Sequence, residues 1–270
     1  MCKKCIVCEG DSLNSPVEHI VPESLGNQFY VLPKDVLCGS CNKEFSKFEG
    51  STLLSSFVGF LRVRHGIKTK KGKAAVFSTG GFQLAGIKPG LENQVYIKGL
   101  ENIKAENIVF HENGSYTITI PDFESHGMPA AKLLLKIGFE AMYKSQRKIF
   151  EKYAFDNLRN YLLNKSNQDW PFIRSPYHPK DFKSIPSFKD KYMLNKAECK
   201  LQYWATDRQL IFSFSYFGVG RYCISLLNRE IEWMKDYVEN EHGTSVWPLH
   251  MKDKINPYLK NGLRGDENSN

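Results

Sequence analysis

The chain has 270 residues, a formal net charge of +8, 41% hydrophobic and 24% charged residues, and seven cysteines. That length supports a sizeable core in one or two domains. No run approaches the roughly 18 consecutive apolar residues of a membrane span, and MCKKCIVCEG lacks the apolar segment of a secretory signal, so a cytoplasmic protein with no membrane partner is expected. The charge is uneven. Residues 1–49 carry five Lys/Arg and seven Asp/Glu, whereas residues 50–91 carry seven Lys/Arg and no acid. An acidic head followed by a purely basic stretch suits a protein that grips phosphate beside a metal. An odd cysteine count with paired CxxC motifs points to metal in a reducing compartment, not to disulfides.

In chain order, Cys5-Ile6-Val7-Cys8 is a first knuckle. Residues 16–21 predict a strand that stops at Pro22, Gly26-Asn27 a turn, and residues 29–32 a returning strand. Cys38-Gly39-Ser40-Cys41 is a second knuckle, and a helix is expected from Asn42 onward, with Asn42, Ser46 and Glu49 on one face. Residues 62–128 read as β-rich and open with the basic block Arg62, Arg64, Lys68, Lys70, Lys71 and Lys73, a phosphate-gripping surface or a solvated loop. Residues 129–164 predict two helices or one bent helix. Residues 165–197 are rich in Pro and Lys and are expected to form a wrapping loop or linker. Residues 198–227 predict three strands, with turns at Asp207-Arg208 and Gly218-Val219-Gly220, and a helix capped by Asn228 is expected over 228–240. The aromatic run Tyr203, Trp204, Phe212, Phe214, Tyr216, Phe217 and Tyr222 fits a core or subunit interface better than a base-stacking surface.

Four thiols at this spacing can close one tetrahedral zinc site with Cys5, Cys8, Cys38 and Cys41 as ligands. With no open position, that zinc would be structural. Cys2 offers a rival to Cys8; the pair Cys5–Cys8 is preferred because Gly10 relaxes the turn behind it. Zinc alone leaves Glu18-His19 between the knuckles and Asn42 after them unexplained. A neutral His is a suitable general base near neutral pH, and Glu and Asn offer the oxygen ligands that a hard divalent ion takes.

Residues 2–50 resemble the HNH endonuclease family, the ββα-metal nucleases with a treble-clef zinc site. The likeness rests on CIVC, Glu18-His19-Ile20-Val21-Pro22-Glu23-Ser24-Leu25-Gly26, and Leu37-Cys38-Gly39-Ser40-Cys41-Asn42-Lys43-Glu44-Phe45. The resemblance implies an N-terminal zinc-stapled ββα-metal module over 1–60; the strand and helix patterns that follow add a mixed α+β region with antiparallel strands over 61–270, so an α+β protein is expected. The resemblance also implies metal-dependent hydrolysis of DNA phosphodiester bonds. His19 would be the general base, and Glu18 and Asn42 would be both catalytic and ligands of Mg²⁺ or Mn²⁺. Ser46 stands where the family has a further ligand, and Glu49, one turn on, would replace it. Asp35 or Asn27 would hold the place of the family's middle Asn. Restriction or anti-phage defence is the implied context, with a second copy or a defence-system protein as partner. The competing expectation is a zinc-binding treble-clef module that binds DNA or protein without cleaving.

Overall fold

The computed structural model describes residues 3–55, 57–79, 82–118, 127–176, 180–185, 199–218, 221–238 and 244–255. The N-terminal region is a short antiparallel hairpin followed by a helix. Strand β1 (Glu18–His19) pairs with β2 (Val31–Leu32) in the register Glu18–Leu32 and His19–Val31, and helix α1 (Gly39–Ser55) follows. The expected strand over 16–21 is paired only at its centre. Pro22 ends it, and a 3-10 turn, Glu23–Leu25, leads into Gly26, whose φ of +90° makes the reversal. The expected single helix is two, α1 and α2 (Phe57–Arg64).

The middle of the chain forms strands β3 (Val76–Thr79), β4 (Phe82–Gly86) and β5 (Val95–Lys98), an antiparallel sheet over α2, and the ribbon β6 (Ile108–Phe110) and β7 (Tyr116–Ile118). Helix α3 (Gly127–Ser145) comes next, with α4 (Arg147–Phe150) and α5 (Asp156–Leu162). The last part supplies β8 (Phe172–Ser175), β9 (Lys183–Ser184), β10 (Cys199–Ala205), β11 (Leu210–Tyr216), β12 (Arg221–Ser225), α6 (Lys235–Val238), β13 (Ser245–Trp247) and α7 (Lys252–Ile255). Six of these strands form one antiparallel sheet in the order β13-β8-β12-β11-β10-β9. The chain is therefore mixed α+β with antiparallel sheets.

Two expectations fail here. The segment 165–197 is not only a linker, since it contributes β8, an interior strand. Phe172 and Ile173 face opposite sides of a sheet covered on both faces, so the strand is apolar without an alternating signature. The helix expected at Asn228 begins only at Glu232, as a 3-10 turn before α6. The Asn228 side chain instead accepts a hydrogen bond from Glu230 N at 3.1 Å and closes a local turn.

Helix α3 is the centre of the molecule. One side packs on β11 and β12, and another packs on α1. Gly138 permits the close approach to the sheet: a Cβ there would stand 2.7 Å from the Phe212 ring. Burial on several sides explains why Ala130 through Met142 are all inside, Lys132, Lys136 and Glu140 included. The aromatics Phe212, Phe214, Tyr216 and Tyr222 face this helix as core and are not open to a base. The same cluster runs on through Phe45, Leu37 and the knuckle residues Cys5 and Ile6, so one core spans the boundary expected at residue 60, which falls inside α2.

Candidate functional site

The first knuckle folds back on itself through Cys5 N–H to Gly10 O at 2.8 Å and Glu9 N–H to Cys5 O at 3.0 Å. The residue with positive φ is Glu9, at +61°. Gly10 instead leaves room, because a Cβ on it would lie 3.4 Å from Cys8 Sγ. The second knuckle opens α1, so Cys41 sits in the first helical turn, where the helix dipole favours a thiolate. Cys38 N–H points to Cys5 Sγ at 3.4 Å and Cys41 N–H to Cys38 Sγ at 3.5 Å.

The four sulfurs of Cys5, Cys8, Cys38 and Cys41 all lie within 4.8 Å of one another, with Cys5–Cys41 at 3.8 Å and Cys8–Cys38 at 3.6 Å. A tetrahedron with Zn–S bonds of about 2.3 Å has edges of about 3.8 Å, so this cluster fits a structural zinc ion. The contact between Cys5 and Cys41 pulls the Cys5 thiol down to about 4 and pushes that of Cys41 up. Cys2, the rival ligand, lies outside the described residues.

His19 sits on β1 with its ring half-buried. Burial lowers its pKa below the ordinary 6.5; Glu23 and Glu18 oppose that shift, and Lys70 and Lys136 add to it. The ring is therefore neutral near pH 7. Lys70 reaches the site from a tight hairpin in which Lys68 bridges Ala74 and Thr69 N–H bonds Lys73 O at 2.8 Å. Between this hairpin and the turn after β1 lies a cleft of about 140 Å³, lined by Glu23, Gln28, Lys68, Thr69, Lys70 and Gly72. Lys68, Lys70, Lys71 and Lys73 are exposed, and so is Arg64, whose Nε bonds Asn93 Oδ1 at 3.0 Å.

Arg62 does not belong to that surface. It is 4% exposed, and its guanidinium donates to Ser24 O at 2.6 Å and Leu53 O at 3.2 Å. It braces the turn after His19 from inside and cannot reach a phosphate. The basic composition of the segment hid this, although Leu61 and Val63 beside it are core residues.

Asn27, not Asp35, organises the hairpin. Its fully buried amide donates to Val21 O at 2.6 Å and Tyr30 O at 2.8 Å and accepts from Phe29 N–H and Tyr30 N–H. Asp35 pairs with Lys3 at 2.8 Å, and that hydrogen bond holds its carboxyl below the usual range.

The three residues expected to hold a divalent ion are only partly assembled. Glu18 and Glu49 meet, but at the ammonium of Lys136 on α3, which lies 2.8 Å from Glu18 and 3.1 Å from Glu49. Asn42 stands seven residues before Glu49, about 10 Å along the helix. It is half-buried and forms no side-chain hydrogen bond with the described residues. With two of three side chains engaged by a cation, this donor set does not fit Mg²⁺ or Mn²⁺ as it stands. Sequence spacing could not have revealed Lys136, which lies 118 residues from Glu18. A lysine at full helical depth in an otherwise apolar run, Leu133-Leu134-Leu135-Lys136-Ile137, is the signal that was present.

The chain matches no protein-family model, no curated protein and no solved structure. No described helix is long and apolar enough to cross a membrane.

Proposed function

We propose that the chain is an HNH-type endonuclease that hydrolyses DNA phosphodiester bonds, with His19 as general base. The observation that carries this reading is a half-exposed His19 on the hairpin that joins the two cysteine knuckles in the chain, with Lys70 close enough to act on its charge. His19 takes a proton from the attacking water, which a neutral imidazole can do near pH 7. Lys70 lies near enough to lower the pKa of His19 and carries the charge that holds a phosphate oxygen and stabilises the extra negative charge of the transition state. Lys68, Lys71 and Lys73 extend that grip along the backbone. Asn27 fixes the hairpin that aims the imidazole. A requirement for Mg²⁺ or Mn²⁺ and a defence context follow from the family resemblance, and no step here is routed through the ion.

A second reading is favoured by the contact of Lys136 with Glu18: a zinc-stapled module that binds DNA or protein and does not cleave. Plasmid nicking by the zinc-loaded full chain separates the two, run with Mg²⁺, with Mn²⁺ and with neither, beside His19→Ala. The nuclease reading expects nicking that falls at least ~100-fold in the variant. Equal nicking by both proteins overturns it, and DNA binding without nicking in any arm establishes the second reading.

A further inference from the structure

Lys136 is completely buried, and five oxygens surround its Nζ. Three belong to carboxylates: Glu18 Oε1 at 2.8 Å, Glu49 Oε1 at 3.1 Å and Glu140 Oε2 at 3.2 Å. Two are carbonyls of the hairpin, His19 O at 2.5 Å and Ile20 O at 3.3 Å. Carboxylates and carbonyls gathered from three elements form the shell that a hard cation takes. Here the ammonium takes that place: it donates hydrogen bonds to Glu18 Oε1, His19 O and Ile20 O, matching its three N–H groups, and its contacts with Glu49 and Glu140 are ion pairs.

The charges suit the ammonium. Burial pulls Lys136 down, but Glu140, Glu49 and Glu18 outweigh it and hold its pKa above the ordinary value. Burial pushes the Glu140 carboxyl well above its usual range, with Lys136 only partly offsetting this. A divalent ion brought to Glu18 and Glu49 would stand within a few ångströms of a fixed positive charge, in a poorly screened interior.

We propose that Lys136 is the resident cation of this site: a side chain from α3 that occupies the position between Glu18 and Glu49 where the family resemblance puts a divalent ion, and that ties the His19 strand to α1 and α3. The carboxylate pair is thereby a structural junction. It concerns the same site as the nuclease reading, but it is tested by metal binding, so the two can fail separately.

The experiment is a Mn²⁺ titration of the zinc-loaded full chain followed by electron paramagnetic resonance. Glu18→Gln, which keeps an oxygen for Lys136, is expected to bind Mn²⁺ within about twofold of the wild type, because Glu18 is already committed. Lys136→Met leaves Glu18, Glu49 and Glu140 without their cation and is expected to gain Mn²⁺ affinity by at least ~tenfold, a gain abolished by adding Glu18→Gln. A roughly tenfold loss of Mn²⁺ affinity in Glu18→Gln alone overturns the proposal, as does a folded Lys136→Met with no gain. Should circular dichroism and zinc content show that Lys136→Met does not fold, the comparison of Glu18→Gln with wild type decides by itself.

Discussion

Asn27→Ala is the sharpest probe of how the hairpin is held. The substitution deletes four hydrogen bonds, two donated to Val21 O and Tyr30 O and two accepted from Phe29 and Tyr30 N–H. These losses are unequal. Tyr30 O keeps its bond from Ile20 N–H, and Phe29 lies at an exposed position where water can replace the amide oxygen. Val21 O and Tyr30 N–H lose the side-chain partner that serves them inside the core. An unsatisfied buried backbone group costs about 1–3 kcal/mol, so the substitution should cost about 2–6 kcal/mol. That is a large share of a net stability of about 5–15 kcal/mol. The assay is urea unfolding of the zinc-loaded protein, with Asn113→Ala as control. Asn113 makes a similar local turn on an exposed loop, and its loss should stay below ~0.5 kcal/mol. If Asn27→Ala costs no more than Asn113→Ala, the amide is not what holds the loop behind His19.

Metal analysis should give one zinc per chain. Cys41→Ser should abolish zinc retention and Cys2→Ser should leave it unchanged, while removal of zinc by a strong chelator should lower stability, since ligand binding to the folded state is folding free energy. Exchanging Lys70, Lys71 and Lys73 together for Gln should reduce the slope of log affinity for DNA against log salt by about 3 with stability unchanged. Arg62→Ala should do the reverse, leaving the slope intact and costing about 2–4 kcal/mol, because the carbonyls of Ser24 and Leu53 lose their buried donor. The acid limb of the pH–rate profile should lie below 6.5, since desolvation lowers the pKa of His19 and only its neutral form accepts the water proton. The sign for stability is the same. Between that lowered pKa and 6.5 the unfolded chain binds more protons than the folded one, so stability is lost as pH falls through the window. A limb at or above 6.5 counts against His19 as the base.

The parts of the site that follow from short-range chemistry were readable in the sequence. Two CxxC pairs constrain their own geometry, and the sulfurs do converge. The three C-terminal strands were readable because their turns are marked by Asp207 and Gly218 and their lengths by apolar runs. What could not be read depends on distant partners. Glu18 and Glu49 look like ligands until Lys136 arrives between them. Arg62 looks like part of a basic patch until its guanidinium is found under Ser24. Strand β8 carries no alternation because helices cover both faces of its sheet. In each case local composition suggests exposure, and packing across more than 30 residues decides otherwise.

The ties on the hairpin also set an order of assembly during synthesis. The knuckles and β1 leave the ribosome before α3 and β11, yet Lys136 must follow to clasp Glu18, Ser145 to meet the Tyr30 hydroxyl at 2.7 Å, and Tyr216 to donate to Leu25 O at 3.0 Å. A nascent chain can therefore hold all four cysteines long before its His19 strand is fastened. The site closes only when Tyr216, 191 residues after Leu25, has been made, so a translation product that stops short of it would carry the zinc knuckles without a finished hairpin.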